Sequence, residues 1–141
     1  MTEKVTKNEM TSLEKAKLVA EFADDMKAVD IETLDIKAKT SIADYFIVCT
    51  GTSDVHIRAI CERVAEKLRD VGVRPLRQSD RSETGGGWML FDYGDVVLHV
   101  MLEEKRQFYD LESFWQNLPQ DPSLIIDEVV APQESSIPSD K

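Results

Sequence analysis

The sequence has few of the residues that build metal sites and nucleophilic centres. Its histidines are His56 and His99, and its cysteines are Cys49 and Cys61. Neither pair has the close spacing that favours a zinc site. No G-x-S-x-G stretch marks a nucleophile elbow, and no Walker lysine follows a glycine-rich turn. We therefore expect no metal, no cofactor and no covalent catalysis.

Long apolar runs and excess positive charge are also missing. No run approaches the ~18 apolar residues of a membrane helix, and the N-terminus lacks the apolar core of a signal peptide. We expect a cytoplasmic protein with no membrane partner, in which Cys49 and Cys61 are reduced core thiols. The net charge of −10 disfavours nucleic-acid binding through a broad cationic surface. It suits a basic protein partner or simple solubility equally well.

Two apolar runs of strand length, 88–91 and 96–102, are present instead. Between them lie Asp92, Tyr93, Gly94 and Asp95, which predict a tight turn because glycine readily adopts a positive φ. Both runs are apolar at nearly every position, which indicates a hairpin covered on both faces.

Three residues of this hairpin are large or titratable and carry polar groups: Trp88, Tyr93 and His99. Tryptophan and tyrosine beside carboxylates are typical of the residues that dominate protein interfaces. We therefore expect Trp88 to face the surface or a sheet edge rather than the core.

The remaining chain predicts one α/β domain with a mixed sheet flanked by helices. Residues 1–10 are expected to be disordered, 11–118 to form the domain, and 119–141 to be a mostly disordered acidic tail with one apolar segment. The predicted elements are a helix at about 12–28, strands at 31–38 and 45–50, a second helix capped by Ser53 and stopped by Gly72, a strand at 73–78, a mobile loop at 79–87, the hairpin, and a closing helix at 103–116. The sequence allows the closing helix to form in two pieces. Its predicted apolar side consists of Phe108, Leu111, Phe114 and Trp115.

One alternative is an enzyme. The turn from Gly51 to Ser53 lies at a strand-to-helix junction, where a helix N-terminus can bind an anion. With the carboxylates of Asp92 and Asp95, it could serve a nucleotidyltransferase-like reaction. However, Ser53 is also an ordinary helix cap, and the aspartates flank a turn instead of clustering on strands as two-metal sites require.

Several blocks in order resemble the ribosomal silencing factor family, also called the Iojap family. The resemblance covers about residues 18–118. The blocks are Ile42-Ala-Asp-Tyr-Phe-Ile-Val-Cys-Thr-Gly-Thr-Ser53, His56 with Ala59-Ile60, Gly87-Trp-Met-Leu-Phe-Asp-Tyr-Gly-Asp-Val-Val-Leu-His-Val100, and Arg106 with Tyr109-Asp-Leu-Glu112 and Trp115.

The resemblance implies a nucleotidyltransferase-like fold without known catalysis. It implies binding to the fourteenth protein of the large ribosomal subunit, in the universal nomenclature, on the face that meets the small subunit. Such binding would block subunit joining and repress translation when nutrients are short. A role in large-subunit maturation and a homodimer are also compatible with the family. No sequence-specific contact with nucleic acid is expected.

The family's hairpin tryptophan and the turn after it are associated with the ribosomal contact, and they match Trp88, Asp92 and Tyr93. Other residues of the matched hairpin and closing helix complete our set of candidate contacts. These are Leu90, Asp95, His99, Arg106 and Tyr109.

Overall fold

A computed structural model describes residues 10–80 and 86–124, apart from the side chain of residue 80. The elements of this part of the chain are α1 (Ser12–Asp25), β1 (Val29–Asp35), β2 (Tyr45–Thr50), α2 (Asp54–Asp70), β3 (Arg77–Asp80), β4 (Trp88–Asp92), β5 (Val96–Met101), α3 (Glu103–Tyr109), α4 (Leu111–Asn117) and a short 3₁₀ helix (Pro122–Leu124). This order confirms the predicted α/β class and the two-piece closing helix.

The five strands form one mixed sheet in the order β1-β2-β5-β4-β3. β2 and β5 run parallel at its centre, with Tyr45 beside Val96 and Thr50 beside Met101. The other three pairings are antiparallel. Every residue of β2 and β5 is buried, as the continuous apolar runs predict for strands covered on both faces.

α1 and α2 cover one face of the sheet. Both begin with the predicted caps: Thr11 and Glu14 form a capping box, and the Ser53 hydroxyl accepts a hydrogen bond from the His56 N–H at 3.0 Å. Burial of each large apolar side chain there contributes about 1.5–3 kcal/mol. This core includes Val19, Ile57, Ile60, Val64 and Leu68 from the helices and Ile47, Phe91 and Leu98 from the strands.

α3 and α4 cover part of the opposite face. Each has 7 residues, too few to be stable as an isolated helix, so packing on the sheet must hold them. Asp110 joins them with a φ of +48°, which ends α3, and its carboxylate accepts a hydrogen bond from the Ser113 N–H at 3.4 Å. The apolar cluster beneath includes Ile36, Phe46, Val48, Trp88, Val97 and Met101.

The prediction of which residues form the buried, apolar side of the closing helix is wrong in part. Leu111 and Trp115 pack against the sheet, but Phe108 is 78% exposed and Phe114 is 57% exposed. A single helix would keep the four residues on one stripe. The left-handed residue Asp110 changes the helix direction, so the stripe does not continue from α3 into α4.

The first helix and strand end earlier than predicted. α1 stops at Asp25, because Lys27 adopts a φ of +64° and leaves the helix before residue 28. β1 begins at Val29 and stops at Asp35. Its predicted end at residue 38 instead forms a turn, in which the Thr40 N–H donates to the Ile36 carbonyl at 3.2 Å.

The third strand lies later than predicted. It spans Arg77–Asp80 instead of 73–78, and Pro75 precedes it because proline has no N–H to donate to a strand ladder. The first two residues of the predicted 79–87 loop therefore belong to the strand, while residues 81–85 lie outside the described residues.

The predictions for the two ends of the chain lie largely outside the described residues, which exclude 1–9 and 125–141. Within the described part, the Asp121 N–H donates to the Ala38 carbonyl at 2.6 Å, so the chain contacts the domain beyond residue 118. Disorder of the remaining tail stays a prediction. Cys49 and Cys61 are buried and form no disulfide, which confirms their prediction as core thiols.

Candidate functional site

Most of the predicted contact residues lie on the face of the sheet under α3 and α4. They are Trp88, Leu90 and Asp92 on β4, His99 on β5, and Arg106 and Tyr109 on α3. Alternate residues of a strand point the same way, and His99 lies opposite Leu90 in the strand register. The Tyr109 ring contacts the Trp88 ring with centroids 4.8 Å apart. Folding thus brings together residues that three elements supply.

Tyr93 and Asp95 lie on the other side of the sheet. Tyr93 packs into the core under α1 and α2 and is only 5% exposed, so it has almost no surface for the predicted contact. Burial raises the pKa of its hydroxyl, with a smaller contribution from Cys61. The Asp95 carboxylate pairs with the Lys15 ammonium of α1 at 2.8 Å.

The prediction that Trp88 faces the surface or a sheet edge is wrong. Its side chain is 7% exposed, because Tyr109 covers it from α3. Its indole Nε1 donates a hydrogen bond to His99 Nδ1 at 3.2 Å, and this contact is also buried. Trp88 and His99 therefore belong to the core beneath the candidate site and support the residues above them.

Two contacts, one from the hairpin turn and one from β3, hold the carboxylate of Asp92 in place. Its carboxylate accepts a hydrogen bond from the Gly94 N–H at 2.8 Å and pairs with Arg77 Nη2 at 2.9 Å. Gly94 adopts a φ of +93°, which favours glycine in this turn as the sequence predicts. Asp92 is thus a fixed, partly neutralised carboxylate at the end of β4.

The accessible part of the site is an aromatic and acidic surface, which we call the docking face and define as Leu90, Asp92, Phe108 and Tyr109. Tyr109 is 37% exposed, and Phe108 packs edge-on against it with ring centroids 4.9 Å apart. Leu90 and Asp92 are half-buried. Sequence patterns did not identify Phe108 as an accessible residue, because helical periodicity predicts that it lies on the buried side of the closing helix.

Arg106 is another predicted contact that lies inside the protein. Its side chain is 7% exposed, and it reaches Glu112 Oε2 and the Thr50 hydroxyl. A charged residue on a short terminal helix is normally exposed, so its burial could not be predicted. Arg106 therefore supports the docking face from below.

The two parts of the alternative enzyme site are far apart. The Gly51 N–H bonds to the last residue of β5, Met101, whereas Asp95 precedes its first residue. Six strand residues separate the turn from the aspartates, which corresponds to about 20 Å. The structure therefore does not assemble the site that the enzyme hypothesis requires.

The Gly51–Ser53 turn also has internal partners. The Thr52 N–H donates to His56 Nδ1 at 2.9 Å, and a Cβ at Gly51 would lie 2.6 Å from Ile57 Cγ1. Close packing and helix capping account for the glycine and the serine, without a bound anion.

A groove of about 490 Å³ lies between β1 and α4. Leu34 and Trp115 form its apolar floor, and the side chains of Glu32, Asp35 and Glu112 line it. Lys39 bridges it, since its ammonium donates hydrogen bonds to the carbonyls of Trp115 and Gln116 at 2.7 and 3.2 Å. The groove is therefore acidic and follows an edge strand of the sheet.

Two other kinds of site are absent from residues 10–80 and 86–124. No group of three or more His, Cys, Asp and Glu side chains in these ranges is placed to hold a metal ion. No helix in the same ranges is long and apolar enough to cross a membrane.

Fold and site together define a small α/β protein whose candidate site is a partly covered aromatic and acidic surface on a five-stranded mixed sheet. The chain belongs to the ribosomal silencing factor family. Residues 9–141 match the model of that family, described as "Ribosomal silencing factor during starvation", which confirms the resemblance found in the sequence.

Curated relatives carry the same family names. The chain is 35% identical over 103 residues to ribosomal silencing factor RsfS of Bacillus subtilis strain 168, which covers 73% of this chain and 86% of the relative. It is 38% identical over 111 residues to RsfS of Chromobacterium violaceum, covering 79% and 88%. It is 35% identical over 100 residues to the chloroplastic protein Iojap of Zea mays, covering 70% and 42%.

Solved structures share the fold. A crystal structure of a Chromobacterium violaceum protein has a TM-score of 0.71 and 37% identity, and the match covers 79% of this chain and 92% of the other. A crystal structure from Bacillus halodurans has a TM-score of 0.61 and 30% identity, covering 70% and 90%.

Proposed function

We propose that this protein binds the large ribosomal subunit through its fourteenth protein, on the face that meets the small subunit, and so prevents the subunits from joining. Membership of the ribosomal silencing factor family carries the proposal. In the cytoplasm this binding represses translation when nutrients are limiting, and it also acts on maturing large subunits. The protein works by occupying a surface and not as an enzyme.

The docking face has the chemistry of a protein-binding surface. Tyr109 and Phe108 present exposed aromatic rings, and aromatic residues in the centre of an interface supply much of its binding energy. Trp88 and His99 form a rigid floor under Tyr109 through their buried hydrogen bond. A preformed aromatic surface loses little conformational entropy on binding, which supports a role in tight association.

Charge supports a basic partner. The net charge is −10, and Asp92 places a carboxylate at the end of the docking face. Opposite potentials on two proteins speed their encounter and fix their relative orientation. The same charge repels the phosphates of ribosomal RNA, so we propose a contact with protein and no sequence-specific contact with nucleic acid.

A subunit-joining experiment tests the proposal. Purified small and large subunits are mixed at a magnesium concentration that permits joining, and the products are separated on a sucrose gradient with increasing amounts of the protein. We expect joined ribosomes to decrease while the protein sediments with the large subunit. Tyr109→Ala should weaken both effects. Val55→Ala is the matched control, because Val55 is 79% exposed on α2, at the other face of the sheet.

Each failure has a separate meaning. Absence of the wild-type protein from the large-subunit fractions would contradict binding. Co-sedimentation without loss of joined ribosomes would contradict only the steric block. Equal weakening by Tyr109→Ala and Val55→Ala would contradict the location of the contact. The homodimer stays a prediction, which light scattering from the free protein would test.

A further inference from the structure

Arg106 lies where four elements meet. From α3 its Nε and Nη2 atoms approach Glu112 Oε2 of α4 at 2.8 and 2.7 Å. Its Nη1 donates to the Thr50 hydroxyl at the end of β2 at 3.0 Å and, more weakly, to the Val29 carbonyl of β1 at 3.5 Å. One buried side chain therefore connects both short helices to the sheet.

Glu112 is the charge that balances this buried guanidinium. A buried ion is costly unless it is paired and hydrogen-bonded. Cys49 is close enough to interact with Arg106, but burial raises its pKa to about 12, an effect that Arg106 only partly opposes. Cys49 therefore remains a neutral thiol at physiological pH, and Glu112 supplies the negative charge that compensates the buried Arg106 guanidinium.

The Arg106–Glu112 pair also spans the elbow between the helices. Asp110 forms the elbow in a left-handed conformation, and Tyr109 is the residue just before it. Helices of 7 residues have little intrinsic stability. The direction of Tyr109 therefore depends on the contacts that hold the elbow in place, and the ion pair is the charged contact across it.

We infer that Arg106 is a positioning residue which, through Glu112, fixes the α3–α4 elbow and holds Tyr109 against Trp88 in the docking face. The inference rests on the proposed function, because the docking face is taken as the surface that meets the ribosomal protein. Arg106 contributes no contact of its own, since it is buried beneath that surface.

A double-mutant cycle in binding separates positioning from a general structural role. The affinity for the isolated fourteenth ribosomal protein is measured for the wild type, Glu112→Gln, Tyr109→Ala and the combined variant. We expect Glu112→Gln to weaken binding about tenfold and Tyr109→Ala about 30-fold or more. If the ion pair acts through Tyr109, Glu112→Gln should cost almost nothing more once Tyr109 is absent. Independent, additive losses would overturn the inference.

Conservative replacement and amide exchange complete the test. Arg106→Lys keeps the charge and should recover part of the binding that Arg106→Gln loses. Amide hydrogen exchange within α4 should accelerate in Glu112→Gln, while exchange in α2 stays unchanged. Unchanged exchange in α4 would overturn the positioning role even if the ribosomal protein binds. Failure of the wild type to bind that protein would instead overturn the proposed function, and the exchange data would still report on the elbow.

Discussion

The indole Nε1 of Trp88 donates a buried hydrogen bond to His99 Nδ1, 3.2 Å away on the neighbouring strand. Indole is a donor only, so the histidine supplies the acceptor that this buried N–H needs. The pair also extends into a series of ring contacts, from Tyr109 on α3 to Trp88 and from His99 to Phe46 on β2. Rings from four elements thus form a continuous support under the docking face.

The first prediction concerns Trp88. Replacing this buried side chain in Trp88→Ala should lower the free energy of unfolding by about 3–5 kcal/mol, measured from the midpoint of urea denaturation. Tyr109→Ala is the control, because its ring is 37% exposed and its loss should cost about 1 kcal/mol. A near-native midpoint for Trp88→Ala would contradict its place in the core.

The second prediction concerns alkaline pH. Burial raises the pKa of the Cys49 thiol from 9.0 to about 12, so above pH 9 the unfolded chain releases this proton while the folded protein retains it. The contribution of the thiol to stability is therefore complete below pH 9 and decreases as the pH rises towards 12, by about 1.4 kcal/mol per pH unit.

Cys49→Val tests this assignment, because valine has a similar size and does not ionise. Between pH 9 and 10.5, urea titrations should show the free energy of unfolding falling more steeply for the wild type than for the variant, while the two curves run parallel from pH 7 to 8. Equal slopes over the alkaline range would show that another group controls the loss.

The third prediction concerns salt. If an acidic surface meets a basic ribosomal protein, screening should slow association, since the Debye length falls from about 10 Å at 0.1 M to about 3 Å at 1 M. Stopped-flow measurements should show a decreasing association rate with a nearly constant dissociation rate. Binding that becomes tighter with salt would instead indicate a mainly apolar contact.

The fourth prediction concerns nucleotides. Since the Gly51 turn and Asp95 lie at opposite ends of β5, ATP or CTP with Mg²⁺ should not shift the melting temperature. A ligand present at 100 times its dissociation constant would stabilise the folded state by about 2.7 kcal/mol, which a thermal-shift titration detects readily. A reproducible shift at micromolar nucleotide would reopen the enzyme hypothesis.

The sequence predicts the elements whose signals are local. β2 begins and ends where its run of aromatic and β-branched residues does, between Asp44 and Gly51. The capping box at Thr11 and the helix cap at Ser53 are also found as expected, because each depends on residues within one turn of the chain. At these positions the local sequence is sufficient to predict where an element begins or ends.

Contacts between distant segments could not be predicted in this way. Lys15 and Asp95 form an ion pair although 80 positions separate them, and neither position has a distinguishing pattern. Trp88 is buried because α3 returns over β4, and strand periodicity does not show which face a later helix will cover. Most residues of the docking face could be named from the family resemblance. Which of the candidate contacts are accessible, and which are buried beneath the docking face, could be seen only in the tertiary structure.

The exposed edge of β1 has a consequence for how the protein behaves in concentrated solution. Asp30, Glu32 and Asp35 are all exposed along this strand, so another chain that added itself there would bring carboxylates together. Charged edge strands resist such growth into extended sheets. Neutral side chains in place of these carboxylates would remove the barrier and leave this edge open to pairing with another chain.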